Sequence, residues 1–427
     1  MNLELASAAV LTIDRFAKDP TPQAAVELLH PLRQTLLWAE SRLRTVSERK
    51  RRRAKRLAAR FGPHQAKFRG EQIKLLRARE AALAMRRQLL RQIGDAIAWI
   101  ALDMEPNLVI PLAAVRTHQL NRGVELGAQA QIVHLLGSSG RFFPVEADLT
   151  RCIGIGDIVA VPVDRSKAPI PLELKAEGEL VLGAQITVEV IAPVTGAPMA
   201  NGEFAAVREI LGLQDPPVAS ASSNREDRQA RELVSSAELS VALSRRVFMK
   251  IGPPPRRHWK IVANVLRRTL VEGACWDSAE AGIAYIGIRR MNMDDPSSAS
   301  AEMLGRVRDA GFGEHHTFLS TDEFQDDDRY AALIPPIAMW DLARDLRRGL
   351  LSRELFLGCV FSTQLWHRAL AGVGVDLEPF EAGWKLKGTG GQELLLSQPD
   401  VHRLTLGIAF AGISPSQLAA QVAEMLR

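Results

Sequence analysis

FFPVEADLTRCIGIGDIVAVPVDRSKAPIPLELKAEGELVL, residues 142–182, decides how this chain is read. It divides into three runs of strand character, at about 142–146, 157–163 and 170–176, with a polar turn at Asp164–Lys167 between the last two. Strand side chains alternate, so Glu173 and Lys175 share one face and Leu172 and Leu174 the other. If the second and third runs form a hairpin, Asp157, which opens the second, converges with Glu173 at one end. Two carboxylates there suit Mg²⁺, a hard cation that prefers oxygen ligands and keeps several waters. An adjacent ammonium orients a water and stabilises charge developing on phosphorus. That is equipment for cutting a phosphodiester.

Working outward, residues 1–105 read as helical. Leu28, Leu29, Leu32, Leu36 and Leu37 recur at helical spacing, Pro20 and Pro22 mark a boundary, and Pro31 either kinks that helix or starts another. Gly62-Pro63 breaks the helix, and a second one runs from about Gln72 into Leu102, turning from basic to apolar. A further helix is expected at about 122–136, ending at Gly137-Ser-Ser-Gly140. Beyond the strands, GAQITVEVIAP reads as another strand, 214–227 as a loop rich in Pro and Ser, and 227–243 as a helix. The C-terminal part is mixed, with helices expected at 258–273, 338–350 and 415–427 and strands near 281–289, 354–361 and 403–411. No internal repeat is apparent.

Composition sets the class. A chain of 427 residues, 47% hydrophobic and 24% charged, is ordinary globular material for two to four domains. Its 3 cysteines, Cys152, Cys275 and Cys359, are odd in number and widely spaced, which argues against a disulfide framework or a cysteine zinc site and for a reducing, cytoplasmic setting. Glu4 stands where a signal peptide needs basic residues, and the most apolar run, Ile93–Met104, is broken by Asp95 and Asp103, so neither a leader nor a membrane span is expected. Charge is uneven. Residues 41–91 hold 18 Lys/Arg against 3 Asp/Glu, a local +15 in a chain of net +5, so the remainder carries −10. Such a block attracts polyanions. Arg49, Lys50, Arg51, Arg52, Arg53, Lys55 and Arg56 are its centre and the candidate nucleic-acid contacts; a solvated or coiled-coil helix face is the plainer alternative.

Asp157 followed by a hairpin and Glu173-x-Lys175 resembles the PD-(D/E)xK restriction-endonuclease-like superfamily. PVEADLTRCIGIGDIVAV is similar to the segment that leads to the catalytic Asp in uncharacterised bacterial members, and NREDRQAREL supplies the Arg-Gln helix that supports the site in such members. The resemblance covers about residues 90–245. It implies that Asp157 and Glu173 bind Mg²⁺ or Mn²⁺, that Lys175 assists catalysis, and that Gln229, Arg228 and Arg225 lie beside the site against DNA or, less favoured, RNA. Gly156 stands where the motif's name has Pro, and Glu125 or Glu146 would fill the family's additional acidic position. The implied fold is α/β, a restriction-endonuclease-like mixed-sheet core at 91–245 with a β-rich insertion, preceded by a basic helical arm at 1–90 and followed by an α/β domain of unknown role at 246–427. The class implies a bacterial nuclease of anti-phage defence or DNA processing, with a homo-oligomer or a defence-system protein as further partners and no membrane.

Two rival readings use the same residues. In one, a non-catalytic protein uses this fold and arm to bind nucleic acid or a partner. In the other, the arm oligomerises. Elsewhere the plain readings prevail: Asp322, Glu323, Asp326, Asp327 and Asp328 form a solvated acidic loop, the seven tryptophans pack cores, and Gly388–Gly391 is a hairpin turn.

Overall fold

The computed structural model describes residues 2–58, 63–109, 112–113, 124–154, 156–164, 167–177, 185–190, 201–211, 256–280, 283–290, several positions between 302 and 309, 316–326, 331, 334–380, 383–397, 410 and 415–426. The chain is mixed α/β and divides into two compact units. One comprises Met1–Asp103, Val115–Pro193 and Ala197–Ala221; the other Met104–Ala114, Val194–Gly196 and Ser222–Arg427.

The first unit begins with three helices. In α1 (Asn2–Lys18) the buried side chains Ala6, Ala9, Val10, Ile13 and Phe16 form one apolar stripe, which packs on α3. Helix α2 (Pro22–Ala58) starts on a Thr21 cap, whose hydroxyl accepts the Ala24 N–H at 3.1 Å, with Pro22 at the first helical position where its missing N–H costs nothing. The helix continues through Pro31. Helix α3 (Pro63–Ala101) starts at Pro63, earlier than its apolar periodicity suggests, and returns along α2 as a long hairpin. Its distal half is polar. Its last turns, from Ala96 to Ala101 and including Trp99, are buried.

A short helical turn, α4 (Pro106–Val109), belongs to the second unit, and α5 (Val124–Ser138) to the first. Ala128, Ile132 and Leu136 recur every four residues along α5 and are buried; the helix packs on the sheet. That sheet runs in the order β1 (Phe142–Glu146), β2 (Ile158–Pro162), β3 (Ile170–Glu177), β4 (Gln185–Val190). Pro144 lies in β1, the edge strand, where a residue without an N–H is tolerated. Every described pairing is antiparallel, so the mixed sheet expected from the resemblance is not found among the described residues. The physical reason is local: only seven residues, 178–184, join β3 to β4, too few for the crossover that a parallel partner needs. Helix α6 (Asn201–Leu211) packs on α5.

The second unit holds two antiparallel sheets. In the larger, β5 (Ala274–Glu280), β6 (Ile283–Arg289), β8 (Leu355–Ser362) and β7 (His316–Ser320) lie in that order, with α7 (Arg256–Glu272) packed on β5 and β6. Trp259, Phe324, Trp340 and Phe410 form an aromatic cluster with ring centroids 5.3–6.5 Å apart, the core role expected of the tryptophans, whereas Trp38, expected in a core as well, is 44% exposed on α2. Helices α8 (Thr321–Asp326) and α9 (Arg344–Leu351) pack on β8. The smaller sheet is β11 (Glu393–Ser397), β10 (Gly383–Gly388), β9 (Val375–Phe380), with α10 (Thr363–Ala371) against β9 and α11 (Pro415–Met425) against α10. The helix expected at 227–243 lies outside the described residues, as does the strand expected at 403–411 apart from Phe410, which is buried. No helix among the described residues is long and apolar enough to cross a membrane.

One close approach fixes how α3 meets the sheet. At Gly94 a Cβ would stand 2.1 Å from the Leu149 carbonyl oxygen, in backbone that cannot give way as a side chain tip would. Gly94→Ala should therefore lower stability by about 1–3 kcal/mol. At Gly70, on the same helix with nothing within 4 Å of its would-be Cβ, the same change should stabilise by up to about 1 kcal/mol through helix propensity. Urea midpoints of the two variants check the contrast.

Candidate functional site

The β2–β3 hairpin forms as its sequence suggests. Ile158 pairs with Leu172, Val159 with Pro171 and Ala160 with Ile170. At the open end the ladder changes character. Gly156 has φ +70°, and a Cβ there would lie 2.8 Å from the Leu172 carbonyl oxygen, so glycine alone fits both the conformation and the space.

After that turn, the Asp157 N–H donates to the Leu172 carbonyl at 2.7 Å, and the Leu174 N–H donates to Asp157 Oδ2, also at 2.7 Å. The Asp157 carboxylate thus takes the place of a ladder carbonyl and lies against the Glu173–Leu174 peptide. Its own carbonyl accepts the Ala147 N–H at 3.0 Å and Gln129 Nε2 at 3.3 Å. Asp157 is 7% exposed, whereas Glu173 is half-buried. Lys175, two residues along β3, pairs in register with Thr187, and Glu173 with Glu189. The Lys175 side chain falls outside the described residues, as do Gln229, Arg225 and Arg228 entirely and the side chain of Glu125.

A buried polar framework behind this hairpin was not singled out from the sequence. Asp95 is 0% exposed, and its Oδ1 accepts the backbone N–H groups of Arg151 at 2.5 Å and Cys152 at 3.0 Å. Its Oδ2 accepts Arg151 Nε at 2.8 Å. Arg91, 4% exposed, donates to the Thr150 carbonyl at 3.5 Å and pairs with Glu40 at 3.5 Å. Arg33 on α2 donates Nε to Glu146 Oε2 at 2.8 Å, and its Nη2 lies 2.5 Å from Oε1. The loop from Glu146 to Cys152, just before Gly156, is therefore held by both α2 and α3. A signal was present: one acidic residue inside the apolar run at the end of α3 must have a buried partner or be neutralised.

Glu146, offered as the additional acidic residue, serves in this ion pair instead. It pairs in register with Ile158. Complete burial pushes its carboxyl up to about 7; the Arg33 charge and hydrogen bond oppose this, and Asp148 adds to it. The Cys152 thiol is also pushed up, by burial and then by Asp95, so it is no nucleophile. All three cysteines are free and buried.

The arm separates its charges into two sets. Lys50 donates to Glu80, whose other oxygen accepts the Ser47 hydroxyl at 2.5 Å, and Arg53 Nη1 donates to Gln72 Oε1 at 2.5 Å. These cations tie α2 to α3, so two of the seven candidate contacts are spent on the hairpin itself. The Glu80 carboxyl is held below its ordinary value by the Lys50 bond first and the Ser47 bond second. Arg49, Arg51, Arg52 and Lys55 are exposed; the Arg52–Glu48 pair is loose, at 3.7 Å with both side chains largely in solvent. The Arg56 side chain lies outside the described residues.

Among the described residues no group of three or more His, Cys, Asp and Glu side chains gathers to hold a metal ion. The carboxyl groups that the hairpin brings to neighbouring strands are those of Asp157 and Glu173. Comparison with known protein families, with curated proteins and with solved structures finds no match.

Asp95→Ala should cost about 3–5 kcal/mol, because it strands Arg151 and two amides in a dry site; guanidinium unfolding measures it. Glu146 gives a pH signature. Its carboxyl is raised in the folded state, so its contribution to stability is full below about 4.5, the ordinary value, and is lost as pH rises through about 7. The difference in unfolding free energy between the wild type and Glu146→Gln should therefore shift against the wild type between pH 5 and 8, by at most about 3 kcal/mol. A pH-independent difference would refute the assignment.

Proposed function

We propose that this protein is a metal-dependent nuclease that hydrolyses phosphodiester bonds of DNA, with RNA the less favoured substrate. The observation that carries the reading is the end of the β2–β3 hairpin, where the Asp157 carboxylate is fixed against the Glu173–Leu174 peptide with Lys175 two residues further along the same strand. Asp157 and Glu173 would hold Mg²⁺ or Mn²⁺, and when bound the ion neutralises charge on the phosphate and lowers the pKa of attacking water. Lys175 orients that water and donates to the oxygen on which charge develops. Asp157 has little freedom to swing, because its Oδ2 also receives the Leu174 N–H. Gln229, Arg225 and Arg228 belong to this reading only through the resemblance in sequence. A bacterial role in anti-phage defence or DNA processing rests on the same ground.

One observation favours the rival reading, a non-catalytic binding module. The Asp157 carboxylate is nearly buried and already closes the hairpin, a structural duty sufficient to explain an Asp there.

Cleavage of plasmid, linear duplex, single-stranded DNA and RNA with Mg²⁺ or Mn²⁺ tests the proposal. Glu173→Gln and Lys175→Ala should each lower the rate by about two orders of magnitude or more, as should EDTA. Asp157→Asn, which keeps an acceptor for the Leu174 N–H, should do the same while leaving the fold intact. Activity that survives all three substitutions would place the chemistry elsewhere or in a contaminant. No cleavage by folded wild type that still binds DNA would favour the binding module.

A further inference from the structure

The sorting of cations on the α2–α3 hairpin carries more than a general affinity for polyanions. Lys50 and Arg53 are turned inward onto Glu80 and Gln72, while Arg49, Arg51, Arg52 and Lys55 on α2 and Arg77 and Arg79 on α3 are exposed. At its other end the hairpin is fastened to the loop before Asp157 through Arg33–Glu146, Arg91 and Asp95–Arg151. Arm and hairpin site therefore belong to one framework within a single compact unit. Helical rise sets the scale: from Arg33 to the stretch Arg49–Lys55 is about 24–33 Å at 1.5 Å per residue. That equals about 7–10 base pairs of B-form duplex at 3.4 Å each.

We propose that this arm is a duplex-tracking rod that imposes a minimum length on the substrate. The extension rests on the nuclease reading for its effect on cleavage, but not for its effect on binding. A duplex long enough to reach from the Asp157 end to Arg49–Lys55 gains phosphate contacts there; a shorter one does not. Three features select a duplex. The hairpin is braced in its distal part by Lys50, Ser47 and Arg53, which suits a partner that is itself stiff over about 150 base pairs. Its exposed groups are guanidinium and ammonium cations, which pair with the phosphate oxygens that both strands of a duplex present. A single strand calls for successive ring platforms, whereas among the described residues of the arm Trp38 is flanked by the guanidinium groups of Arg86 at 4.8 Å and Arg42 at 5.8 Å, and Phe68 is exposed about 30 residues further along the chain.

The test uses the full chain and a variant with Arg49→Gln, Arg51→Gln, Arg52→Gln and Lys55→Gln, whose folding circular dichroism verifies. Binding is measured by fluorescence anisotropy in EDTA, on duplexes of 6, 12, 18 and 30 base pairs, on single strands of the same lengths, and on phosphatidylserine vesicles, over a range of salt. The wild type should gain at least about tenfold in affinity between 6 and 18 base pairs, beyond the added number of sites. The variant should lose that gain, and its salt slope on the 18-base-pair duplex should flatten by about 3–4. With Mg²⁺ restored, cleavage of the longer duplexes should show the same threshold in the wild type and not in the variant. An unchanged salt slope in the variant, a preference for single strands, or tighter binding to vesicles than to duplex would overturn the proposal. Absence of cleavage together with the expected binding threshold would overturn the nuclease reading and leave the rod standing.

Discussion

Asp95 lies where α3 is otherwise apolar, with no access to water, and its neighbours are arranged to satisfy it. Its two oxygens take one guanidinium and two backbone amides, all from Arg151 and Cys152. Removing a single partner from such a group leaves a buried charge uncompensated, which is far costlier than the pair's net contribution. The constraint therefore specifies position more than it stabilises. Only one placement of the loop before β2 satisfies Asp95, and Gly94 lets α3 come near enough to reach it, since a side chain there would meet the Leu149 carbonyl.

The candidate site inherits that placement. With residues 146–152 fastened by Asp95, Arg91 and Arg33, the chain enters β2 through the left-handed Gly156 and presents Asp157 to β3. The side chain then completes a ladder whose regular bonding has stopped. A carboxylate in this role is part of the sheet, and little reorganisation is open to it. Glu173 is half-buried on the neighbouring strand.

The arm depends on the same fastening. A basic helix alone is an electrostatic lure with no geometry. Paired with α3 and braced by Lys50, Ser47 and Arg53, it becomes a rod whose remaining cations stand at a fixed distance along the helix axis from the residues that grip the loop. Charge that looks uniform in the sequence is thus divided between cations that hold the hairpin together and cations left exposed.

The strands Phe142–Glu146, Ile158–Pro162 and Ile170–Glu177, the break at Gly62-Pro63 and the helix Val124–Ser138 were legible in the sequence, because alternation, apolar spacing and Gly-Pro punctuation are local signals. So was the pairing of Asp157 with the Glu173 region, since a short polar turn between two strands leaves few other registers. The antiparallel course of the whole sheet was not legible, because strand direction follows from which elements pair and not from the composition of any one. Nor was the use of Glu146 as the partner of Arg33, or the division of the arm's cations, since Arg33 and Glu146 lie 113 residues apart and neither carries a local mark of its partner. Local periodicity determined the elements; burial, which forces every charge it encloses to find a partner across the chain, decided what each charged residue does.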